Sequence, residues 1–175
     1  MAVRLKGALE LRKALRKFEP DLAKETQREI ASFLKPVVKE ARGYLPNNTS
    51  ILSNWSAANK RENARFPYYD FAVAKRGITY KTTPSKANRR GFRALASIFN
   101  KTAAGAIYET AGRKTPNSTF VKNLEAKYPS KMVGKDKMQG RAMFRAYEEN
   151  EGKAQDGVIR AIEKAAAKFK AVTRG

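Results

Sequence analysis

The sequence contains no cysteine and no histidine. Without thiolate or imidazole there is no disulfide, no zinc site of the usual Cys/His kind, and no Ser–His or Cys–His nucleophilic pair. Any catalysis would have to run on Asp, Glu, Lys, Arg, Tyr or Ser. Long apolar runs are missing as well, and nothing approaches the stretch of about 18 such residues that a membrane-spanning helix needs. The opening Met1-Ala2-Val3-Arg4-Leu5-Lys6-Gly7 is charged with no apolar segment behind it, so it does not read as a signal peptide. Triplets such as Asn54-Trp55-Ser56 therefore carry no glycosylation meaning. Gly105 and Gly112 stand alone, and no phosphate-cradling glycine loop occurs.

Acidic residues are scarce. Asp and Glu number 16 against 37 Lys and Arg, a formal charge of +21. The excess is uneven: residues 1–43 carry 11 basic and 6 acidic groups, residues 139–175 carry 8 and 5, and residues 44–138 carry 18 and 5. The mixed ends fit solvated helix faces, and the middle is where an anionic partner would be met. Its acids include Asp70, Glu109, Glu125 and Asp136, far apart in sequence and without the D-x-D or E-x-x-E pairing that would cluster them around Mg²⁺. A nuclease is thus disfavoured, and the expectation is a protein without enzymatic activity, metal or cofactor.

What is present is periodicity. At 175 residues and 42% hydrophobic content, the chain suits a single domain, 1–175, with apolar surface left for partners to complete. Residues 1–43 predict two amphipathic helices. The first, over 4–18, carries Leu5, Ala8, Leu9, Leu11, Leu15 and Phe18; the second starts at Glu19-Pro20-Asp21 and runs to about Arg42. Leu22, Thr26, Ile30, Phe33, Leu34, Val37 and Ala41 mark the buried face of that second helix; Pro36 predicts a kink and Gly43 a stop. Residues 44–110 predict an irregular connection, to 66, followed by a small antiparallel sheet. That sheet is a hairpin over 69–82 turning at Gly77 and a strand over 92–99, followed by a short helix over 103–109. Residues 111–138, rich in Lys, Gly, Pro and Ser, predict a long basic mobile loop. Residues 139–172 predict a C-terminal helix with Met143, Ala146, Tyr147, Val158, Ile162, Ala165, Ala166 and Phe169 inward and a bend or break at Gly152 and Gly157. The fold class is α+β: N-terminal amphipathic helices and a long C-terminal helix packed on a small antiparallel β-sheet.

Basic residues fall in the predicted loops and turns: Lys60, Arg61 and Arg65; Lys75 and Arg76; Lys86, Arg89, Arg90 and Arg93; Lys131, Lys135 and Lys137. Such groups suit phosphate contact without base readout, or docking to acidic neighbouring subunits. Phe66, Tyr68, Tyr69, Phe71, Tyr80 and Phe92 interleave with the charge, as in stacking platforms for single-stranded nucleic acid, but strand alternation places Phe71 and Phe92 in a core.

The order of short motifs resembles the small neck and tail-completion (head-tail connector) proteins of long-tailed bacteriophages. Their Pro-x-x-Thr-Gly-x-Leu motif is matched by Pro46-Asn47-Asn48-Thr49-Ser50-Ile51-Leu52, with Ser50 in the place of Gly, followed by Trp55. Their apolar-x-Glu-x-Gly segment is matched by Ile107-Tyr108-Glu109-Thr110-Ala111-Gly112, and the closing helix opens Arg141-Ala142-Met143-Phe144. The resemblance implies a structural virion protein with no enzymatic activity, assembled in the host cytoplasm into the head-tail junction. It implies a closed homo-oligomeric ring of about six or twelve copies, set between head-closure or portal proteins and the tail tube, with double-stranded DNA in its lumen. A tail-terminator ring of the same junction and a free, non-specific nucleic-acid-binding protein are the alternatives.

Overall fold

The computed structural model describes residues 7–47, 55, 67–114, 116–133 and 138–174. They form α1 (Ala8–Phe18), α2 (Pro20–Gly43), α3 (Phe71–Gly77), β1 (Ile78–Lys81), β2 (Ser97–Asn100), α4 (Ala103–Thr110), α5 (Thr119–Lys127), β3 (Lys131–Val133), β4 (Met138–Gly140) and α6 (Met143–Arg174). β1 pairs with β2, and β3 pairs antiparallel with β4, Met132 opposite Gln139. The chain is α+β and mostly helical, with the N-terminal helices, long C-terminal helix and small antiparallel sheet that the sequence predicts. It divides into two compact units, one of residues 1–36, 80–97 and 151–175, the other of residues 37–79 and 98–150.

The first unit is built helix on helix. Leu15, Ala23 and Ala165 form a buried cluster against which Leu11, Leu22 and Phe169 pack. Each large apolar side chain buried this way contributes about 1.5–3 kcal/mol. Thr26, Ile30 and Leu34 continue the predicted stripe of α2. Ion pairs Lys164–Glu29 (3.2 Å) and Lys168–Glu25 (2.6 Å) flank it at the surface. One expectation fails here. Phe18 is 61% exposed, because Arg12 shares the inward face of α1 with Ala8 and Leu15, and Phe18 sits in the last turn under the Lys17 ammonium. Gly157 has a packing role: a Cβ there would collide with the Phe33 ring.

The second unit departs further. Residues 69–82 are no hairpin. Asp70 caps α3, its carboxylate accepting from the Val73 amide (2.9 Å), and Ala74, Gly77 and Ile78 face inward at helical rather than alternate spacing. Only Ile78–Lys81 remains extended. The strand expected over 92–99 shrinks to Ser97–Asn100, and residues 82–96, in the first unit, form a looped arm. Asn88 accepts from the amides of Arg90 and Phe92, Ser85 and Ala94 exchange two bonds, and Arg12 takes the carbonyl of Leu95 (2.8 Å), so these backbone groups are satisfied without a partner strand. Phe71 and Phe92 are half-buried.

The short helix expected over 103–109 is α4, but the long loop expected over 111–138 is not a loop throughout. Ser118 caps α5, which buries Val121 and Leu124 three residues apart, and β3 and β4 follow. The C-terminal helix accordingly begins at Met143 rather than Gln139, and α2 runs through Pro36 to Gly43 as one helical segment.

Candidate functional site

The second unit is organised around two buried charges, Glu109, a motif position of the sequence, and Arg141, which opens the closing helix there. Thr102 caps α4 by accepting from the Gly105 amide (3.1 Å), and Asn100 accepts from both the amide and hydroxyl of Thr102. Capped this way, α4 turns Ala104, Gly105, Tyr108 and Glu109 inward. Glu109 is 2% exposed, and its carboxylate accepts from three successive amides, Ala142 (2.8 Å), Met143 (3.1 Å) and Phe144 (2.9 Å). It therefore caps the N-terminus of α6 from another helix, where the first N–H groups lack intrahelical partners and the dipole favours an anion.

Arg141 is the counterpart. Its guanidinium is equally buried and donates to the carbonyls of Tyr108 (3.0 Å), Ala111 (2.8 Å) and Tyr128 (3.0 Å) and to the Glu125 carboxylate. These acceptors lie at the C-terminal ends of α4 and α5, where unpaired carbonyls concentrate partial negative charge. Glu125 is held in turn by the Ser130 amide (2.8 Å) and hydroxyl (2.6 Å). Desolvation lowers the Arg141 pKa, and the facing Glu125 opposes that shift. Gly112 leaves α4 at φ 95, a conformation costly for a side chain, and a Cβ there would meet Val121 Cγ1 at 3.0 Å.

Aromatic rings pack beside this node. Trp55 donates to the Pro67 carbonyl (2.6 Å), sits 5.0 Å from Tyr69 and meets Phe120 edge-on at 5.2 Å. Tyr108 lies 6.4 Å from Tyr69 and 6.1 Å from Tyr128, and its hydroxyl donates to the Tyr44 carbonyl (2.9 Å). The buried Tyr69 hydroxyl has no hydrogen-bond partner among the described residues. Burial raises the pKa of both Tyr69 and Tyr108, and the bond to Glu149 pushes Tyr44 up to about 12. In each case the folded pKa lies above the unfolded one. Stability is therefore intact below about pH 10, the unfolded tyrosine value, and falls as pH rises through the folded values, by up to about 1.4 kcal/mol per pH unit for each fully buried tyrosine. In an alkaline titration, a fraction of the phenolate absorbance is expected to appear only together with loss of helical circular dichroism. Complete ionisation near pH 10 with the helices intact would refute the burial of these hydroxyls.

Above the node lies a half-open cleft of about 410 Å³. Among the described residues its walls carry five cations, Arg42, Lys75, Lys127, Arg141 and Arg145, and no Asp or Glu. Arg42 donates to the Ile78 carbonyl (2.8 Å), Arg141 is committed to the node, and Arg145 lies 4.1 Å over the Tyr44 ring with Glu149 at 3.3 Å. Lys75 and Lys127 are exposed.

Of the sequence-predicted site residues, Lys75 and Arg76 lie on the last turn of α3, Lys75 in the cleft wall. Lys86, Arg89, Arg90 and Arg93 are exposed on the 82–96 arm. Lys131 belongs to β3, whereas Lys60, Arg61, Arg65, Lys135 and Lys137 lie outside the described residues, as do Thr49 and Leu52. Pro46 is buried at the cleft, and Trp55, Tyr108, Glu109 and Gly112 converge on the node. The described carboxylates do not converge on one point: Asp70 caps a helix and Glu109 and Glu125 serve the node, Asp136 lies outside the described residues, and no group of three or more potential metal ligands forms among the described residues. None of the helices searched among those residues is long and apolar enough to cross a membrane. Sequence reading missed Arg12, Arg42, Lys127, Arg141 and Arg145 as positioned cations. No local signal marks these five, because each is positioned by backbone carbonyls, rings or carboxylates remote in sequence or by the cleft that the fold assembles. Compared with protein-family models, curated proteins and solved structures, the chain matches none.

Proposed function

We propose that this chain is a non-enzymatic ring subunit of the head-to-tail junction of a long-tailed phage. In this reading it is the neck protein between the head-closure or portal proteins and the tail tube, with duplex DNA in the lumen. The observation that carries the reading is the convergence of its motif positions. Trp55, Tyr108, Glu109, Gly112 and the Arg141-Ala142-Met143-Phe144 opening are scattered along the sequence, yet they meet at one packed node. The cationic 82–96 arm adds a second support: it is preshaped by Asn88, Ser85 and Arg12, and its exposed Arg89, Arg90 and Arg93 suit phosphate contact without base readout.

The test is the solution mass of the purified chain, alone and with its neighbouring junction proteins, across a salt series, together with duplex binding by the wild type and the Arg89→Gln/Arg90→Gln/Arg93→Gln variant. Rings, or monomers that assemble on a partner, are expected. The triple variant is expected to lower the slope of log K against log salt by up to about 2.7, three phosphate contacts at about 0.9 each. A monomer that ignores those partners but binds DNA with a steep salt slope would replace the ring reading with that of a free nucleic-acid-binding protein.

A further inference from the structure

The geometry points to the cleft of the second unit as a docking site for an acidic, extended peptide segment of a partner protein. This inference does not depend on the ring reading. Among the described residues five cations and no carboxylate line the cavity; Glu125 and Glu149 behind its walls pair Arg141 and Arg145, which leaves Arg42, Lys75 and Lys127 as the surplus that attracts an anion. Two of the five, Lys75 and Lys127, form no ion pair among the described residues and stand on different elements, α3 and α5. Arg42 and Arg145 come from α2 and α6, which makes four elements around the opening. Charges spread in this way suit a ligand carrying several carboxylates along a chain, rather than one compact anion that needs its donors to converge.

Nucleic acid fits this cavity poorly, for two reasons. A volume of 410 Å³ equals a cube of about 7 Å on a side, room for about two residues of an extended chain passing through the half-open cleft but not for a duplex, whose major groove alone is about 12 Å wide. A single strand would fit by width, but it binds such sites by stacking bases on open aromatic faces. Here that surface is reduced: Arg145 covers one face of Tyr44 at 4.1 Å, Lys75 one face of Phe71 at 5.3 Å, and Tyr108 and Tyr128 pack edge to face. Carboxylates need no aromatic face, only the cations at the rim. The exposed 82–96 arm, with no such enclosure, is the separate surface assigned to phosphates above.

The test uses the full chain and a fluorescent (Asp-Glu)₃ peptide, with the matching (Asn-Gln)₃ peptide, inorganic phosphate and a single-stranded oligonucleotide as comparison ligands. Because the chain carries +21, general attraction must be separated from the site. Lys75→Glu/Lys127→Glu and Arg89→Glu/Arg90→Glu each leave a formal +17, 21 minus 4, and so form a charge-matched pair. The cleft variant is expected to weaken the acidic peptide about tenfold and the arm variant less than about twofold. Lys75→Gln/Lys127→Gln should give an intermediate loss with an unchanged melting temperature, since both side chains are exposed. Equal losses from the two charge-matched variants would overturn the proposal, as would failure of the acidic peptide to bind. Phosphate binding without peptide binding would also overturn it, and so would an oligonucleotide that loses as much affinity as the peptide in the cleft variant alone.

Discussion

Replacing Glu109 with Ala is expected to lower the unfolding free energy by about 3–5 kcal/mol, and with Gln by about 2–3 kcal/mol. The asymmetry follows from the acceptor count. One carboxylate receives the amides of Ala142, Met143 and Phe144, all within 3.1 Å. Alanine leaves three donors at the first turn of α6 without a partner, where the buried Ala142 gives water little access. Glutamine keeps one acceptor oxygen but turns an NH₂ toward the other amides and removes the anion that complements the helix dipole. Urea unfolding supplies the number, and hydrogen exchange localises it: the amides of Ala142, Met143 and Phe144 should lose protection in Glu109→Gln before those of Ile30 or Leu34 do. A cost below about 1 kcal/mol with those three amides still protected would mean that water satisfies them and that Glu109 is not the cap.

How far the sequence foretells this arrangement depends on the range of the interactions. α1, α2 and α6 were legible because their buried faces repeat every three or four residues, so Thr26, Ile30, Leu34, Ala146, Ile162 and Ala165 could be placed inward from spacing alone. The middle misled because its elements are short and decided by single polar side chains. In residues 71–77, a change of period and Gly77 as a turn suggested a strand, but the Asp70 cap and the inward set Ala74, Gly77 and Ile78 select a helical turn. In residues 111–138, composition suggested a loop, while Ser118 and Arg141 secure the two ends of α5. The site was half visible. Trp55, Tyr108, Glu109 and Gly112 were singled out by resemblance, without any indication of what they do. Arg141 stands in the sequence only as the opening residue of a helix, and no local pattern marks a cation that bonds carbonyls 13, 30 and 33 residues away.

Those separations make Arg141 the position of the second large effect. Arg141→Met, close in shape but without donors, is expected to destabilise the fold by about 3–5 kcal/mol. It would strand three carbonyls, those of Tyr108, Ala111 and Tyr128, together with the facing Glu125. Arg141→Lys should recover only part of this, because one ammonium cannot reproduce a planar fork serving four acceptors on two helix ends. The salt bridge alone is not the source. The Glu125 side chain is 34% exposed and has Ser130 as a second partner, so Glu125→Gln should cost about 1 kcal/mol. A double-mutant cycle between Arg141→Met and Glu125→Gln should therefore leave most of the Arg141 loss uncoupled to Glu125 and attributable to the carbonyls. A coupling energy equal to the whole loss would reverse that assignment and make the ion pair the keystone. The consequence reaches the cleft, because Arg141 and Tyr108 line its walls and the ends of α4 and α5 are held in place through this guanidinium. Arg141→Lys should accordingly weaken acidic-peptide binding although its formal charge is unchanged, a loss that the cation count alone does not predict.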